Sequence, residues 1–381
     1  MQSDQHVCHR SFAAEPGGSE HFLSIKAPPE LDFRGQLRHL LEHYRQAQAE
    51  FGLSAEDAVF RRVFLSDVLN QAAQVRESAL VDQQTAVSVV QQAPLPSAKI
   101  ELLAYHAKGA PLGKKRLSPK HLLIERNGQR HLWSTRLCSS DHETSNSPEK
   151  QTRDIFDELI AVLGKQGGTL RQNCVRTWIY IKDVDVFYKG MVDSRRELFA
   201  EQGLTGASHY IASTGIEGAC AHRYDLVAMD AYSNLSLRPG QMSYLNDFDR
   251  LCATLDYNVT FERGTRLVYG DRAHLYISGT ASIDKYGEVV HEGDVMRQLD
   301  HALDNVEALL RAGQAELSDL MYLLVYLRDP SDFQAIDNRL RDRLPDLPIV
   351  IVQGAVCRPA WLVEVEGVAV TPHAEPTLPS F

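Results

Sequence analysis

Three runs, FRRVFLSD (60–67), VRTWIYIKD (175–183) and LMYLLVYLRD (320–329), have one character: a few β-branched, aromatic and aliphatic residues that stop at an aspartate. Runs of this kind, bounded by turn residues, predict strands. Upstream of each, apolar residues fall at the helical period: Leu37, Leu40, Leu41, Tyr44 and Ala47, then Ile155, Phe156, Leu159, Ile160 and Leu163, then Met296, Leu299, Leu303, Val306 and Leu310. A glycine break at Gly52, Gly167-Gly168 or Gly313 separates helix from strand. Downstream, a second helix is predicted at about 68–78, 186–202 and 332–343, and a closing strand at 99–106, 224–232 and 361–370. SAKIEL (97–102) matches AWLVEV (360–365). One order of elements met three times predicts tandem units, too long for a solenoid. Each is an α+β unit, a mixed sheet with both helices on one face.

Two units also open with a hairpin, HLLIERNGQRHLWSTRL (121–137), turning at Asn127-Gly128, and TRLVYGDRAHLYISGTASID (265–284), turning near Gly270-Asp271. No such hairpin is read in the first unit, which is therefore expected to be degenerate. The predicted organisation is a flexible N-terminal tail (1–20), a degenerate unit (21–110), a second unit (111–240), a C-terminal unit (241–373) and a C-terminal tail (374–381).

The balance of 44% hydrophobic and 24% charged residues is that of a globular chain, and no apolar stretch reaches membrane-spanning length. Residues 1–20 lack an apolar signal region, so a cytoplasmic location is expected. The six cysteines form no CxxC pair and have no histidine cluster at zinc spacing, which argues against a disulfide framework or a metal site. A net charge of −10 argues against nucleic acid as a partner. No glycine-rich nucleotide fingerprint appears, so no cofactor is expected.

LYISGTASID (275–284), GDVMRQLDHALDNVEALLRAG (293–313), DLMYLLVYLRDPSDF (319–333) and WLVEVEGVAV (361–370) resemble the Rid/YjgF family across the third unit. That resemblance implies barrel-like trimers with ligand sites in clefts between neighbouring units. Three tandem units would then form a pseudo-trimeric, barrel-like arrangement within one chain, as a monomer or a low-order homo-oligomer. HYIASTGIEG (209–218), residues 259–284 and AVCRPAWLVEVEG (355–367) resemble more narrowly the chorismatases, a Rid-derived branch. The simple Rid deaminases hold their substrate with an arginine two residues after the proline of the penultimate strand. Here that proline aligns with Pro348 and the position is Val350, which speaks against deamination.

The chorismatase resemblance implies a small-molecule substrate, chorismate, cleaved to pyruvate and 3-hydroxybenzoate, with 4-hydroxybenzoate as a co-product. Such chemistry needs a general acid, and a glutamate serves only if burial raises its pKa. Glu364 and Glu366 alternate with Val363 and Val365, so the two carboxyls share one sheet face. On spacing alone they could be solvated. The resemblance puts the acid on Glu364, with Glu101 its relic in the first unit. It also implies that Cys357 steers the product towards the 3-hydroxy acid. Two substrate carboxylates call for arginines. Arg223 and Arg358 are the first choices, followed by Arg263, Arg266 and Arg272. Gly279 is a candidate backbone donor, and Tyr210 and Tyr276 candidate hydroxyl donors. His209, His222 and His274 show no catalytic pairing in the sequence. Two alternatives stay open: hydrolysis of chorismate to 3,4-dihydroxycyclohexa-1,5-diene carboxylate and pyruvate, and a non-catalytic Rid-like protein that binds a small carboxylate.

Overall fold

The computed structural model describes residues 6–16, 18–141, 143–220, 222–257 and 259–381. Its first unit runs β1 (Val7–Ala14), β2 (Gly18–Lys26), α1 (Phe33–Glu50), β3 (Ala58–Leu65), α2 (Val68–Glu77), β4 (Ala86–Gln91) and β5 (Ile100–Lys108). The second comprises β6 (Gly113–Ser118), β7 (His121–Arg126), β8 (Gln129–Leu137), α3 (Pro148–Lys165), the one-turn α4 (Leu170–Asn173), β9 (Cys174–Ile181), α5 (Val184–Glu201), β10 (Ala212–Glu217) and β11 (Val227–Asn234). The third comprises β12 (Met242–Tyr244), β13 (Gly264–Val268), β14 (Arg272–Ala281), α6 (Val295–Ala312), β15 (Leu320–Leu327), α7 (Phe333–Arg343), β16 (Ile349–Gln353) and β17 (Val363–Pro372).

The sheet orders β1-β2-β5-β3-β4, β10-β9-β11-β8-β7-β6 and β12-β13-β14-β17-β15-β16 repeat one topology. In each, the closing strand inserts between the hairpin and the aspartate-ended strand, which pairs in parallel with its neighbour across a helical crossover. Two of the three aspartates cap the helical turn that follows the strand, while Asp183 precedes α5 without a side-chain cap. Asp67 caps α2 by accepting from Asn70 N (3.3 Å), and Asp329 accepts from Ser331 N (2.9 Å).

Alternation along each strand divides the core. Leu23, Ile25, Val63, Leu65 and Leu102 pack under α1 and α2, while Phe22, Phe60, Phe64 and Leu103 face the other way. The second sheet is divided likewise, with Ile179 and Met229 under its helices and Trp133, Trp178 and Tyr232 opposite. The inner faces of all three sheets meet in one central core. Backbone bonds tie the units together: Gln91 N to Ala219 O (2.8 Å), Leu95 N to Ile351 O (2.9 Å) and Glu217 N to Ala355 O (3.1 Å). Among the described residues no helix is long and apolar enough to cross a membrane.

Two expectations about the ends need correction. Residues 7–14 and 18–26 form the hairpin thought missing from the first unit, so residues 6–20, apart from Gly17, are not a free tail. Residues 1–5 lie outside the described residues. The hairpin is held because Glu20 is buried against Arg272 (2.8 Å) and His274 (2.9 Å) of the third unit. At the other end, residues 374–381 form no regular element but are packed down. Gly270 N donates to Pro379 O (2.9 Å), Phe381 N donates to Asp271 Oδ1 (2.9 Å), and the Phe381 ring is buried.

Candidate active site

β10 of the second unit docks against β14 of the third. Ser213 N donates to Ser278 Oγ (2.9 Å) and Gly279 N to Thr214 Oγ1 (2.8 Å). A narrow cleft with a cavity volume of about 40 Å³ opens at this seam. The third unit lines it with Glu364, Cys357, Gly279 and Arg263, and the second with Thr214, Arg195 and Tyr188. Phe261, Ile283 and Trp361 supply apolar wall.

Both strand glutamates are buried on the inner face, so neither is solvated: Glu364 is 6% exposed and Glu366 1%. Their partners differ. Glu366 pairs with the buried Arg176 (2.6 Å) and accepts from the Thr214 hydroxyl. Thr214 Oγ1 also accepts from Gly279 N and Arg176 Nη2, which uses its whole hydrogen-bonding capacity. The Glu364 carboxyl is pushed up to about 8, first by burial and then by the negative charge of Glu366, against the pull of Arg176 and Arg263. It therefore keeps its proton at neutrality. A Cβ on Gly279 would lie 2.3 Å from Glu364 Oε1, so only glycine leaves this carboxyl its place. The Cys357 thiol is pushed up to about 12 by burial and by Glu364, and stays protonated. The cleft thus combines a neutral carboxylic acid and a neutral thiol with two guanidiniums. Both guanidiniums are buried: Arg195 donates to Thr260 Oγ1 (3.3 Å) and Arg263 to Cys252 O (3.2 Å).

Of the residues singled out from sequence, Glu364, Cys357, Arg263 and Gly279 come together here. The others do not line the cleft. Arg223 is exposed, and its carbonyl accepts from Lys182 Nζ (3.0 Å). Arg358 is half-buried, donating to Gly287 O (2.8 Å) with its guanidinium 4.7 Å from the Trp361 ring, behind the cleft wall. Arg266 donates to Gly313 O (2.9 Å) on the far side of β13, and Arg272 is committed to Glu20 and Asp271. Tyr210 packs on Phe199 in the core of the second unit. Tyr276 lines a separate central cavity, its hydroxyl 3.4 Å from His274 Nδ1. Glu101 is buried and pushed up to about 7 by burial, but lies outside the cleft. Val350 is fully buried in β16.

Arg195, Arg176, Thr214 and Tyr188 were not singled out from sequence. Two carried a legible signal. Arg195 falls on the buried stripe of α5 with Met191 and Phe199, and Arg176 interrupts a strand whose every residue is buried. A charge in such a place needs a partner. Among the described residues, no group of His, Cys, Asp and Glu is arranged to hold a metal.

Residues 266–371 match the family model described as Endoribonuclease L-PSP. The chain is 34% identical to a 3-hydroxybenzoate synthase of Streptomyces hygroscopicus over 114 residues, 27% of this chain and 33% of that relative. It thus spans about a third of that protein's length. It is 30% identical to the 3-aminoacrylate deaminase RutC of Acinetobacter baylyi over 97 residues, 25% of this chain and 77% of the relative. A chorismatase crystal structure superposes with a TM-score of 0.62 at 19% identity, covering 82% of this chain and 93% of the other, so the two have the same fold. Through its C-terminal unit, the chain belongs to the Rid/YjgF (L-PSP) family.

Proposed function

We propose that the protein is a chorismatase that converts chorismate to 3-hydroxybenzoate and pyruvate in the cleft between the second and third units. The observation that carries this reading is Glu364, a buried carboxyl that stays protonated at neutrality between two buried arginines in an inter-unit cleft. The likeness to a 3-hydroxybenzoate synthase and to the chorismatase fold supports the same substrate class.

Chorismate is a dianion, and Arg195 and Arg263 offer planar donors for its two carboxylates. Glu364 gives its proton to the terminal methylene of the enolpyruvyl group while the ring carbon–oxygen bond breaks. The neighbouring ring hydroxyl oxygen closes onto the vacated carbon, and its proton returns to Glu364. Pyruvate leaves. The strained oxide then opens, a ring C–H proton is lost as the hydroxyl oxygen regains one, and the aromatic 3-hydroxy acid results. No water is consumed. Cys357 is no nucleophile as a protonated thiol, and its part is to fill the space from which water would attack. Val350, at the position where the simple Rid deaminases carry an arginine, is buried and apolar.

The test is incubation with chorismate and chromatographic separation of products. Wild type is expected to release pyruvate and 3-hydroxybenzoate in equal amounts, and Glu364→Gln to lose at least about 100-fold in kcat. Cys357→Ala is expected to divert flux to the dihydroxy-diene acid. Folded wild-type protein that releases no pyruvate would refute the reading, and a diene product from wild type would refute the role of Cys357.

A further inference from the structure

Arg195 lies with Met191, Leu198 and Phe199 on the buried face of α5, where it is 2% exposed and its guanidinium is 5.9 Å from the Phe199 ring. A guanidinium buried so far needs its N–H groups met, and each partner fixes where the others point. Arg195 Nε donates to Thr260 Oγ1 at 3.3 Å. The helix belongs to the second unit and the threonine, which precedes β13, to the third. The bond therefore crosses the seam that opens into the cleft.

Thr260 is buried, and the residues that follow it are stitched to both units. Thr254 Oγ1 donates to Phe261 O (2.7 Å), Glu262 N to Ile211 O (3.1 Å) and Ser278 N to Arg263 O (3.0 Å), while Glu262 Oε1 accepts from Tyr210 N (2.8 Å). Arg263 is held differently. Its Nη2 donates to the main-chain oxygen of Cys252 (3.2 Å), with Cys252 Sγ at 3.5 Å. Thus a side-chain hydroxyl holds Arg195 where a main-chain carbonyl holds Arg263. The guanidinium is planar, so fixing Nε also fixes the edge formed by Nη1 and Nη2, the edge that meets a carboxylate in bidentate fashion.

We propose that Thr260 is a positioning residue: its hydroxyl, from the third unit, sets the guanidinium of Arg195, from the second, for one substrate carboxylate. The inference rests on the chorismatase reading, in which Arg195 grips the dianion. Thr260 is not among the residues that line the cleft, so its effect passes through Arg195. The carboxylate is gripped both before and after the ring carbon–oxygen bond breaks. Loss of alignment therefore weakens ground state and transition state alike, and it is read in KM more than in kcat. A hydroxyl that only satisfied a buried donor would change stability and leave KM alone.

The test is steady-state kinetics on chorismate for Thr260→Val, which removes the acceptor, Thr260→Ser, which keeps it, and Arg195→Met with and without Thr260→Val. Thr260→Cys, whose sulfur is a weak acceptor, takes the place of the valine variant if that one does not fold. Thr260→Val is expected to raise KM about tenfold, the weight of one hydrogen bond to a charged group, with kcat held within about twofold. Thr260→Ser keeps the wild-type KM. In the Arg195→Met background, Thr260→Val adds less than about twofold, because its route to the substrate is gone. An unchanged KM in Thr260→Val, or the same tenfold rise with Arg195 absent, overturns the proposal, even if the melting temperature falls. NMR of the arginine Nε–H signals follows the bond without substrate. The Arg195 signal, assigned by its loss in Arg195→Met, is expected to be protected from solvent exchange in wild type and Thr260→Ser and to lose that protection in Thr260→Val. A wild type inactive on chorismate therefore refutes the proposed function, while unaltered protection in Thr260→Val would separately overturn the role of Thr260.

Discussion

Gly279 illustrates how little freedom the residues around Glu364 have. An added methyl would come within 2.9 Å of the Glu364 Cδ and 3.0 Å of Thr214 Cγ2, besides the contact with Oε1. Gly279→Ala is expected to fold and to lose about 100-fold in kcat, since a misplacement of about 1 Å in a reacting group costs that much. Steady-state kinetics beside a melting curve check this, and wild-type kcat in the variant would show that the carboxyl has room elsewhere. Glu364 also leaves a mark on stability. Its ordinary value is 4.5 and its folded value about 8, so the folded state binds one more proton than the unfolded state between those limits. Stability from this group therefore falls as pH rises from about 4.5 to about 8. Glu364→Gln removes that slope, and its melting temperature is expected to exceed that of wild type at pH 8 but not at pH 4.5. A parallel pH dependence in the two proteins would contradict a raised Glu364.

At the scale of elements, the β1–β2 hairpin and β10 were the hardest to read from sequence. Inner-face residues of the hairpin include Glu20, which breaks the apolar alternation expected of a half-buried strand, because its partner Arg272 lies 252 residues away. β10 was not read as a strand from sequence, yet it is a parallel edge strand whose Ser213 and Thr214 bond to the next unit. The Glu20 ion pairs anchor the hairpin. Despite the opposing effect of burial, His274 and Arg272 hold its carboxyl down at about 2. That contribution is complete above the unfolded value near 4.5 and is lost as pH falls towards 2. Glu20→Gln is expected to destabilise by about 3 kcal/mol, as expected when one partner of a buried pair is removed. Urea unfolding at pH 7 measures it, and the difference from wild type should shrink at pH 3. A neutral effect at pH 7 would mean that Asp271 alone satisfies Arg272.

Across the whole molecule, the core is not divided as the sequence is. The inner faces of the three sheets share one cluster that runs from Phe22 and Phe60 through Trp133 and Trp178 to Tyr322 and Val368. Buried ion pairs cross between units at Arg62–Asp230, Arg176–Glu366 and Arg272–Glu20. A unit cut from the others would expose apolar surface and strand these charges. Unfolding is therefore expected as one transition, with calorimetry and the fluorescence of Trp133 and Trp178 coinciding. Three separable transitions would show that each unit is stable by itself.

Local periodicity was enough to establish the tandem α+β units, their helices and closing strands, and the common face of Glu364 and Glu366, because 3.6- and 2-residue repeats are set by neighbours along the chain. Glu364, the proposed acid, and Cys357 were singled out through a family resemblance. Tertiary structure alone selected Arg195 and Arg263 over Arg223 and Arg266, buried both glutamates, and set Arg62 against Asp230 and Glu366. Desolvation and Coulomb attraction depend on distance through space, and residues 62, 176, 230 and 366 become neighbours only when three sheets close on one core.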